Sequence, residues 1–292
     1  MSKLSNIGTI KDIVNRYGFS FSKALGQNFL INPSVCPRIA EMGNARPGFG
    51  IIEIGTGIGV LTAELAQRAD KVVCIELDSR LLPVLDETLS EFDNIKVIND
   101  DVLKVDLKKL IADEFAGMQV AVCANLPYYI TSPILMSLLE QRLPIVSITV
   151  MVQKEAAVRI CAKPGSRECG ALSLAVSYYS EPKQLFSVSR GSFLPAPDVD
   201  SAVIRLDVRE SPAIQVPDEK ALFAIIKAGF SQRRKTIVNA LSSGLGLPKE
   251  EVSRMLERAQ VSPKARAEQL TLEDFGRIRL PAEDDAAPTG AG

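Results

Sequence analysis

Histidine and tryptophan are both absent from this chain of 292 residues. Without histidine, the chain cannot assemble a Ser-His-Asp triad or a Cys-His pair, and it cannot form a zinc site that needs imidazole. Any chemistry must therefore proceed without the side chain best suited to proton transfer at neutral pH.

Cysteines are few, and long apolar runs are absent. The chain has 5 cysteines with no CxxC pair, so a zinc ribbon is not expected and no metal is predicted. Cys74 and Cys123 lie inside apolar segments, which favours buried thiols in a reducing compartment. The N-terminus lacks a secretory signal, and the longest apolar run, Leu143–Val152, is too short to span a membrane. We therefore expect a cytoplasmic protein that is not bound to a membrane.

The charges are unevenly distributed, although the formal net charge is only −1. Residues 1–50 contain 6 Lys or Arg against 2 Asp or Glu, residues 51–219 contain 16 against 24, and residues 220–280 contain 12 against 6. Two basic regions therefore flank an acidic middle, a pattern that suggests surfaces for a polyanion. The alternative interpretation is that these charges are solvated helix faces.

The hydrophobic pattern predicts an α/β fold with a Rossmann-like sheet. Between residues 51 and 152, segments with strand character alternate with helical segments, which predicts βαβ units and a mostly parallel sheet. Two more strands, near Gln184–Val188 and Val199–Val208, are expected to pair as a hairpin and add an antiparallel edge. The first helix is expected to begin at a Thr9 cap, and the pattern leaves Ala171–Ser180 ambiguous.

The length suits about two domains. Beyond a linker at 211–217, helical periodicity predicts a small all-α domain. Its expected helices are Asp218–Phe230, Lys235–Leu241, Lys249–Ala259 and Leu272–Ile278. We assign residues 1–210 to the α/β domain, 211–280 to the helical domain and 281–292 to a tail that is expected to be disordered.

The strongest local feature is Gly55-Thr-Gly57-Ile-Gly59 at the end of the first predicted strand. Glycines there allow a tight backbone turn and leave room for a ligand. The last glycine of the dinucleotide fingerprint is replaced by Val60, which disfavours a pyrophosphate ligand. Glu76 ends the second strand about 20 residues on, where a carboxylate can accept from two ribose hydroxyls. Asp101 ends the third strand, where it can accept from an adenine amino group.

Together these residues describe a pocket for an adenosine group without phosphates. S-adenosylmethionine fits this description, because its sulfonium is a cation and the pocket supplies acids. The alternative is a tight turn with solvated acids at the ends of strands.

A second feature, Asn125-Leu126-Pro127-Tyr128, ends the fourth predicted strand, and ligands bind at the carboxyl ends of strands in open α/β sheets. The exocyclic amine of a base is a poor nucleophile, because its lone pair is delocalised into the ring. If the Asn125 side chain and the Leu126 carbonyl each accept one N–H, the amine becomes tetrahedral and its lone pair is freed. Tyr128 can stack on the base. The alternative is a strand-terminating turn with a half-buried tyrosine.

In these and further motifs, the chain resembles the ribosomal RNA adenine dimethyltransferases. The resemblance extends from about Ser22 to Leu272. Its motifs are Lys23–Leu30, Glu53–Thr62, Glu76, Asp101, Asn125–Tyr128, Met151–Ile160, Phe193–Val203, Gly229–Thr236 and Ala265–Leu270. One departure is Thr56, where this family often has proline. We expect little effect, because threonine keeps the spacing of the glycines.

The resemblance implies which residues bind the cofactor and the substrate. The residues implied to contact S-adenosylmethionine are Asn28, Leu30, Gly55, Glu76, Asp101 and Asn125. The residues implied to hold the target adenine are Asn125, Tyr128 and Phe193. For Phe193, core packing is the alternative to a ring that sandwiches the base opposite Tyr128. Residues 1–50 would supply an N-terminal helix and a segment that covers the cofactor.

The implied activity is the transfer of two methyl groups from S-adenosylmethionine to N6 of each of two adjacent adenines in the 3′-terminal hairpin loop of small-subunit rRNA. The expected partner is this rRNA within the assembling small ribosomal subunit, and the expected enzyme is a monomer. Three alternatives stay open: a macrolide-resistance methyltransferase of large-subunit rRNA, a DNA adenine methyltransferase, and a non-catalytic ribosome-assembly factor.

A basic cluster, Arg233-Arg234-Lys235, is the candidate RNA-binding site of the helical domain. It follows Ser231, which we interpret as a helix cap. A basic helix start favours phosphate, because free N–H groups point the same way. The alternative is a solvated charged turn.

Overall fold

A computed structural model of the chain describes residues 3–18 and 26–281. Residues 23–25 of the predicted Lys23–Leu30 motif and the tail from residue 282 lie outside the described residues. The described α-helices are α1 (Ile7–Arg16), α2 (Val35–Met42), α3 (Val60–Ala66), α4 (Leu82–Thr88), α5 (Leu107–Glu114), α6 (Thr131–Glu140), α7 (Lys154–Ile160), α8 (Ala171–Tyr179), α9 (Glu219–Phe230), α10 (Ile237–Leu245), α11 (Lys249–Arg258) and α12 (Leu272–Arg277).

The strands build one seven-stranded sheet and one two-stranded sheet within the described part of the chain. The strands are β1 (Phe29–Leu30), β2 (Phe49–Ile54), β3 (Lys71–Glu76), β4 (Ile95–Asn99), β5 (Gln119–Asn125), β6 (Ser147–Gln153), β7 (Ser180–Val188), β8 (Phe193–Leu194) and β9 (Ser201–Val208). The order of the large sheet is β4-β3-β2-β5-β6-β9-β7, and β1 pairs with β8 in the small one.

The five strands from β2 to β6 run parallel, as the alternation of strands and helices predicts. Every residue of β2 is buried, and so are the interiors of β5 and β6. A parallel strand with helices on both faces has no solvated side, which explains why these segments are almost continuously apolar in sequence. In the central strands β5 and β6, only end residues are not buried.

The antiparallel edge is also confirmed. Strand β9 pairs antiparallel with β6 on one side and with β7 on the other. The ambiguous segment Ala171–Ser180 divides into helix α8 and the first residue of β7. Helix α1 begins earlier than expected: the Asn6 side chain accepts a hydrogen bond from Gly8 N at 2.8 Å, so Asn6 is the cap and Thr9 lies within the helix.

The described residues form two compact units. The first comprises the residues up to Val158 together with Ser180–Glu210, and it contains both sheets. The second comprises Arg159–Tyr179 and the residues from Ser211 onward. Helix α8 therefore belongs to the second unit, although it precedes residue 210 in the sequence. Among the described residues, no helix combines the length and the apolar character that are needed to cross a membrane.

Aromatic packing explains why α8 belongs to the helical unit. The Tyr178 ring meets the Phe223 ring edge-on with centroids 5.3 Å apart, and the Tyr179 ring stacks on Phe223 at 5.7 Å. The Tyr178 hydroxyl donates to a carboxylate oxygen of Glu219 at 2.6 Å. These contacts join α8 to α9 across a long sequence separation, which the local hydrophobic pattern of 171–180 does not reveal.

Candidate active site

A pocket lies at the carboxyl ends of the central parallel strands. Strand β2 has β3 on one side and β5 on the other, so the strand order reverses there. Open α/β sheets bind ligands in the crevice at this reversal. The pocket encloses about 1100 Å³, including its open mouth. Its lining includes the glycine turn after β2, the ends of β3 and β5, and the segment from Gly26 to Leu30.

The glycine turn has a backbone that other residues adopt only with strain. Gly55, Gly57 and Gly59 have φ angles of +74°, +57° and +87°. A Cβ built on Gly55 would meet nothing nearer than the Asn125 carbonyl oxygen, at 4.0 Å. The space over Gly55 is therefore open, and a ligand can approach the backbone closely there.

Glu76, at the end of β3, lines the pocket with a carboxylate that is already hydrogen-bonded. Its Oε1 accepts from Asp78 N at 2.8 Å, and its Oε2 accepts from Thr56 Oγ1 at 3.0 Å and from Gly57 N at 3.2 Å. Glu76 is only 6 % exposed. The carboxylate is thus held between the end of β3 and the glycine turn, with little contact to solvent.

Asp101 follows β4 and also lines the pocket. Its Oδ1 accepts a hydrogen bond from Leu103 N at 3.0 Å, which fixes the side chain against the turn that follows. No hydrogen bond is assigned to its Oδ2 within residues 3–18 and 26–281. One carboxylate oxygen of Asp101 therefore has its full acceptor capacity.

The segment before and within β1 forms another wall of the pocket. The Asn28 side chain donates to Gly26 O at 3.1 Å, and Leu30 is buried in β1. The Gln27 side chain donates to an Asp78 carboxylate oxygen at 2.8 Å. That contact links this segment to the loop after β3, where Asp78 N also holds Glu76.

Asn125 ends β5, Leu126 follows it, and both residues line the pocket. Asn125 Nδ2 donates to Asn28 O at 3.4 Å. The Oδ1 atom of the same amide takes no part in this hydrogen bond. Leu126 N donates to Met151 O at 3.3 Å, and the residue as a whole is 1 % exposed. In the described part of the chain, neither Asn125 Oδ1 nor Leu126 O receives an assigned hydrogen bond. Neither oxygen is therefore occupied by a donor from the described residues.

Two consecutive tyrosines follow these acceptors and have different surroundings. Tyr128 is half-buried, and its hydroxyl lies 2.6 Å from Ser201 Oγ at the start of β9. Burial raises the pKa of the Tyr128 hydroxyl, and the hydrogen bond with Ser201 opposes that shift. Tyr129 lines the same pocket and is 59 % exposed, and no role for it follows from the sequence.

Phe193 lies in the short strand β8. It is 3 % exposed and packs in the hydrophobic core, and it is not among the residues that line the pocket. The reason is the pairing of β8 with β1, which places Phe193 opposite Leu30. This packing agrees with the core-packing alternative, and a role of Phe193 in holding the base stays a prediction.

The basic cluster lies in a turn and not at the start of a helix. Ser231 caps the end of α9: its hydroxyl donates to Ala228 O at 2.6 Å. Helix α10 begins only at Ile237, so the interpretation of Ser231 as an N-cap is wrong. Arg233 donates to the carbonyl oxygens of Arg167 and Cys169 at 3.1 and 3.3 Å. The side chains of Arg234 and Lys235 are exposed, and no partner is assigned to either among the described residues.

Glu53 opens the Glu53–Thr62 motif, but the sequence alone does not reveal how deeply its carboxyl is buried. Glu53 lies in β2, is 1 % exposed and lines the pocket. Burial raises the pKa of its carboxyl to about 8. The Cys74 thiol, on β3, donates to Glu53 Oε2 at 3.7 Å. The signal in the sequence is an acid inside an otherwise apolar strand.

The pocket suits an adenosine-containing cation. Open space over Gly55 admits a ligand to the glycine turn, and Glu76 and Asp101 supply acceptors at the ends of neighbouring strands. The acids also match a ligand of positive charge. Within the described residues, no group of three or more Cys, Asp or Glu side chains could hold a metal ion.

The sheet order and the pocket at its reversal define the class I methyltransferase architecture. Two solved structures share it. A dimethyladenosine transferase from Plasmodium falciparum aligns with a TM-score of 0.70 and 26 % identity, covering 86 % of this chain and 95 % of that one. The 23S rRNA methyltransferase ErmE aligns with a TM-score of 0.65 and 30 % identity, covering 86 % of this chain and 98 % of that one.

The sequence assigns the chain to a family within that class. The model of the ribosomal RNA adenine dimethylase family matches residues 18–282, and the chain belongs to this family. The ribosomal RNA small subunit methyltransferase A of Geobacillus is 48 % identical over 93 % of this chain and 94 % of its own length. The protein of the same name from Bacillus mycoides is 49 % identical over 95 % and 97 %. These matches confirm the resemblance that the motifs indicate.

Proposed function

We propose that this protein is an S-adenosylmethionine-dependent enzyme that dimethylates N6 of each of two adjacent adenines in the 3′-terminal hairpin loop of small-subunit rRNA. The observation on which the proposal chiefly depends is the pair of unoccupied acceptors, Asn125 Oδ1 and Leu126 O, at the end of β5. Relatives at 48–49 % identity are named small-subunit rRNA methyltransferases, which favours that substrate within the assembling subunit.

The cofactor would lie along the carboxyl ends of β2, β3 and β4. Glu76 would accept from its ribose, Asp101 Oδ2 from its adenine amino group, and the open backbone at Gly55 would admit its amino-acid part. Asn28 and Leu30 would close the wall between the cofactor and the N-terminal segment. When bound, S-adenosylmethionine supplies an electrophilic methyl group.

The chain's own contribution to the chemistry would be positioning and the exclusion of water. In the first transfer, Asn125 Oδ1 and Leu126 O would each accept one N–H of the adenine N6 amine, which withdraws the lone pair from the ring and aims it at the methyl group. In the second transfer, the N6-methylamine has one N–H and would donate it to one of these two acceptors. Because Asn125 Nδ2 is held by Asn28 O, the amide is oriented before the substrate arrives. The methylated ammonium is acidic enough to lose its proton to water, so no histidine is required.

Tyr128 would stack on the target adenine after the base leaves its helix or loop stack. The hydrogen bond between its hydroxyl and Ser201 Oγ fixes one end of the ring. For Phe193, contact with the opposite face of the base stays a prediction.

The decisive experiment supplies labelled S-adenosylmethionine with unmethylated small subunits, large subunits and DNA in separate reactions, followed by mapping of the modified base. The proposal requires N6,N6-dimethyladenine at two adjacent positions of small-subunit rRNA. Label in large-subunit rRNA would instead favour the ErmE-like activity, and label in DNA would favour a DNA methyltransferase. Absence of transfer to all three would favour a non-catalytic assembly factor.

Loss of the Ser201 hydroxyl should impair the positioning of Tyr128. We expect Ser201→Ala to lower kcat/KM for rRNA methylation about 2- to 10-fold, the usual worth of one hydrogen bond, with unchanged affinity for the cofactor. Tyr128→Phe removes the same bond from its other end and should have a similar effect. The double variant should lose no more kcat/KM than either single variant, because the two hydroxyls form one hydrogen bond. Additive losses would contradict this coupling.

The exposed basic residues of the turn before α10 should contact phosphate. Since Arg233 is engaged by carbonyl oxygens, we expect the double variant Arg234→Ala/Lys235→Ala to flatten the salt dependence of rRNA affinity by about two phosphate contacts. Binding of the cofactor should not change. The matched control is Lys108→Ala/Lys109→Ala, which removes the same charge from exposed positions of α5. Equal salt slopes for the two double variants would show that this turn is not the docking surface.

A further inference from the structure

Thr56 lies between Gly55 and Gly57 in the pocket lining and is 6 % exposed. Its Oγ1 is 3.0 Å from Glu76 Oε2. The Thr56 hydroxyl is the donor, and the carboxylate oxygen accepts. The sequence alone treats threonine at this position as a neutral replacement for proline. The structure instead shows that its side chain binds the carboxylate predicted to hold the ribose.

This contact limits how many further donors Glu76 can accept. A carboxylate has about four acceptor positions, two on each oxygen. Thr56 Oγ1 and Gly57 N both donate to Oε2, while Asp78 N donates to Oε1. Oε2 therefore has no position left, and Oε1 has one.

The ligand gains little by displacing the threonine. A ribose hydroxyl that replaced Thr56 at Oε2 would leave the Thr56 hydroxyl buried without a partner, which offsets the new hydrogen bond. The other two donors are backbone N–H groups. Asp78 is itself held by Arg80 at 2.6 Å and by Gln27 at 2.8 Å, so the loop that positions its N–H is braced from two sides.

We infer that Thr56 is a specificity-determining residue of the cofactor pocket: it restricts Glu76 to one of the two ribose hydroxyls. The inference rests on the proposed placement of S-adenosylmethionine at Glu76. It also revises the expectation that Glu76 accepts from both hydroxyls. A proline at this position has no hydroxyl, so Oε2 would keep a position for the second one.

Calorimetry of the full-length protein with S-adenosylhomocysteine and its 2′-deoxy and 3′-deoxy analogues tests the inference by binding alone. In the wild type, removal of one hydroxyl should weaken binding about 10-fold or more, the worth of a charge-assisted hydrogen bond. Removal of the other should weaken it by less than about 3-fold. In Thr56→Val, removal of either ribose hydroxyl should weaken binding about 10-fold, because Oε2 regains an acceptor position.

Matched variants distinguish the effect of the Thr56 hydroxyl from the effect of the shape of its side chain. Thr56→Ser keeps the donor and should keep the asymmetry of the wild type, whereas Thr56→Ala should behave like Thr56→Val. Glu76→Gln should reduce the cost of removing either hydroxyl. Thermal unfolding of each variant shows whether it is folded, and the wild-type comparison of the two analogues needs no variant at all.

The inference would be overturned if removal of either ribose hydroxyl weakened binding to the wild type equally. It would also be overturned if Thr56→Val and Thr56→Ala kept the wild-type difference between the 2′-deoxy and 3′-deoxy analogues. Failure of the wild type to bind S-adenosylhomocysteine at all would instead contradict the proposed cofactor. The two failures are therefore distinguishable in the same titrations.

Discussion

Asn125→Ala is expected to lower the single-turnover rate of rRNA methylation about 100- to 1000-fold, the usual cost of removing one preorganised group that acts on the transition state. The affinity for rRNA should stay within about 3-fold, because an interaction used mainly in the transition state affects kcat and not ground-state binding. The physical reason is the loss of Oδ1, one of the two free acceptors at the end of β5. Rapid-quench measurements at saturating cofactor and rRNA give the rate directly.

The control must account for the second contact of the same amide. Asn125 Nδ2 donates to Asn28 O, so cofactor binding is to be measured in the variant as well. Asn99→Ala is the matched variant: it removes an amide at the end of β4, where Nδ2 donates to Glu76 O at 2.7 Å. We expect it to weaken cofactor binding while leaving the rate at saturation nearly unchanged. A near-normal single-turnover rate in Asn125→Ala would refute the assignment.

Glu53→Gln is expected to stabilise the protein on the order of 3 kcal/mol at pH 7. Burial raises the pKa of Glu53 from 4.5 to about 8, so between these values the folded state binds more protons than the unfolded state. The free energy of unfolding of the wild type therefore falls as the pH rises through this window. Glutamine has the same shape and does not titrate, so the free energy of unfolding of the variant does not fall in this way.

Urea unfolding from pH 4 to pH 8 measures the effect. The stability difference between Glu53→Gln and the wild type should be near zero at pH 4 and should grow by up to about 1.4 kcal/mol per pH unit above the unfolded-state pKa. Glu41→Gln, at an exposed position of α2, is the matched control and should follow the wild type. Parallel profiles for Glu53→Gln and the wild type would mean that Glu53 is ionised in the folded protein.

Much of the α/β unit could be predicted from the sequence because its signals are local. Buried parallel strands need continuous apolar segments, and βαβ connections are short, so the alternation between residues 51 and 152 already implies the sheet. The same rule brings the carboxyl ends of these strands to one edge. Glu76, Asp101 and Asn125, each close to such an end, could therefore be placed around one pocket before any contact was known.

Only the tertiary structure decided which side chains touch across long separations in sequence. The pairing of β8 with β1 buries Phe193, the start of β9 brings Ser201 to Tyr128, and ring packing assigns α8 to the helical unit. Likewise, the sequence by itself determined that an acid follows the glycine turn by about 20 residues, but not that Thr56 donates to it. Periodicity reports which face of an element is buried. The partners met on that face depend on chain pairings that no local pattern encodes.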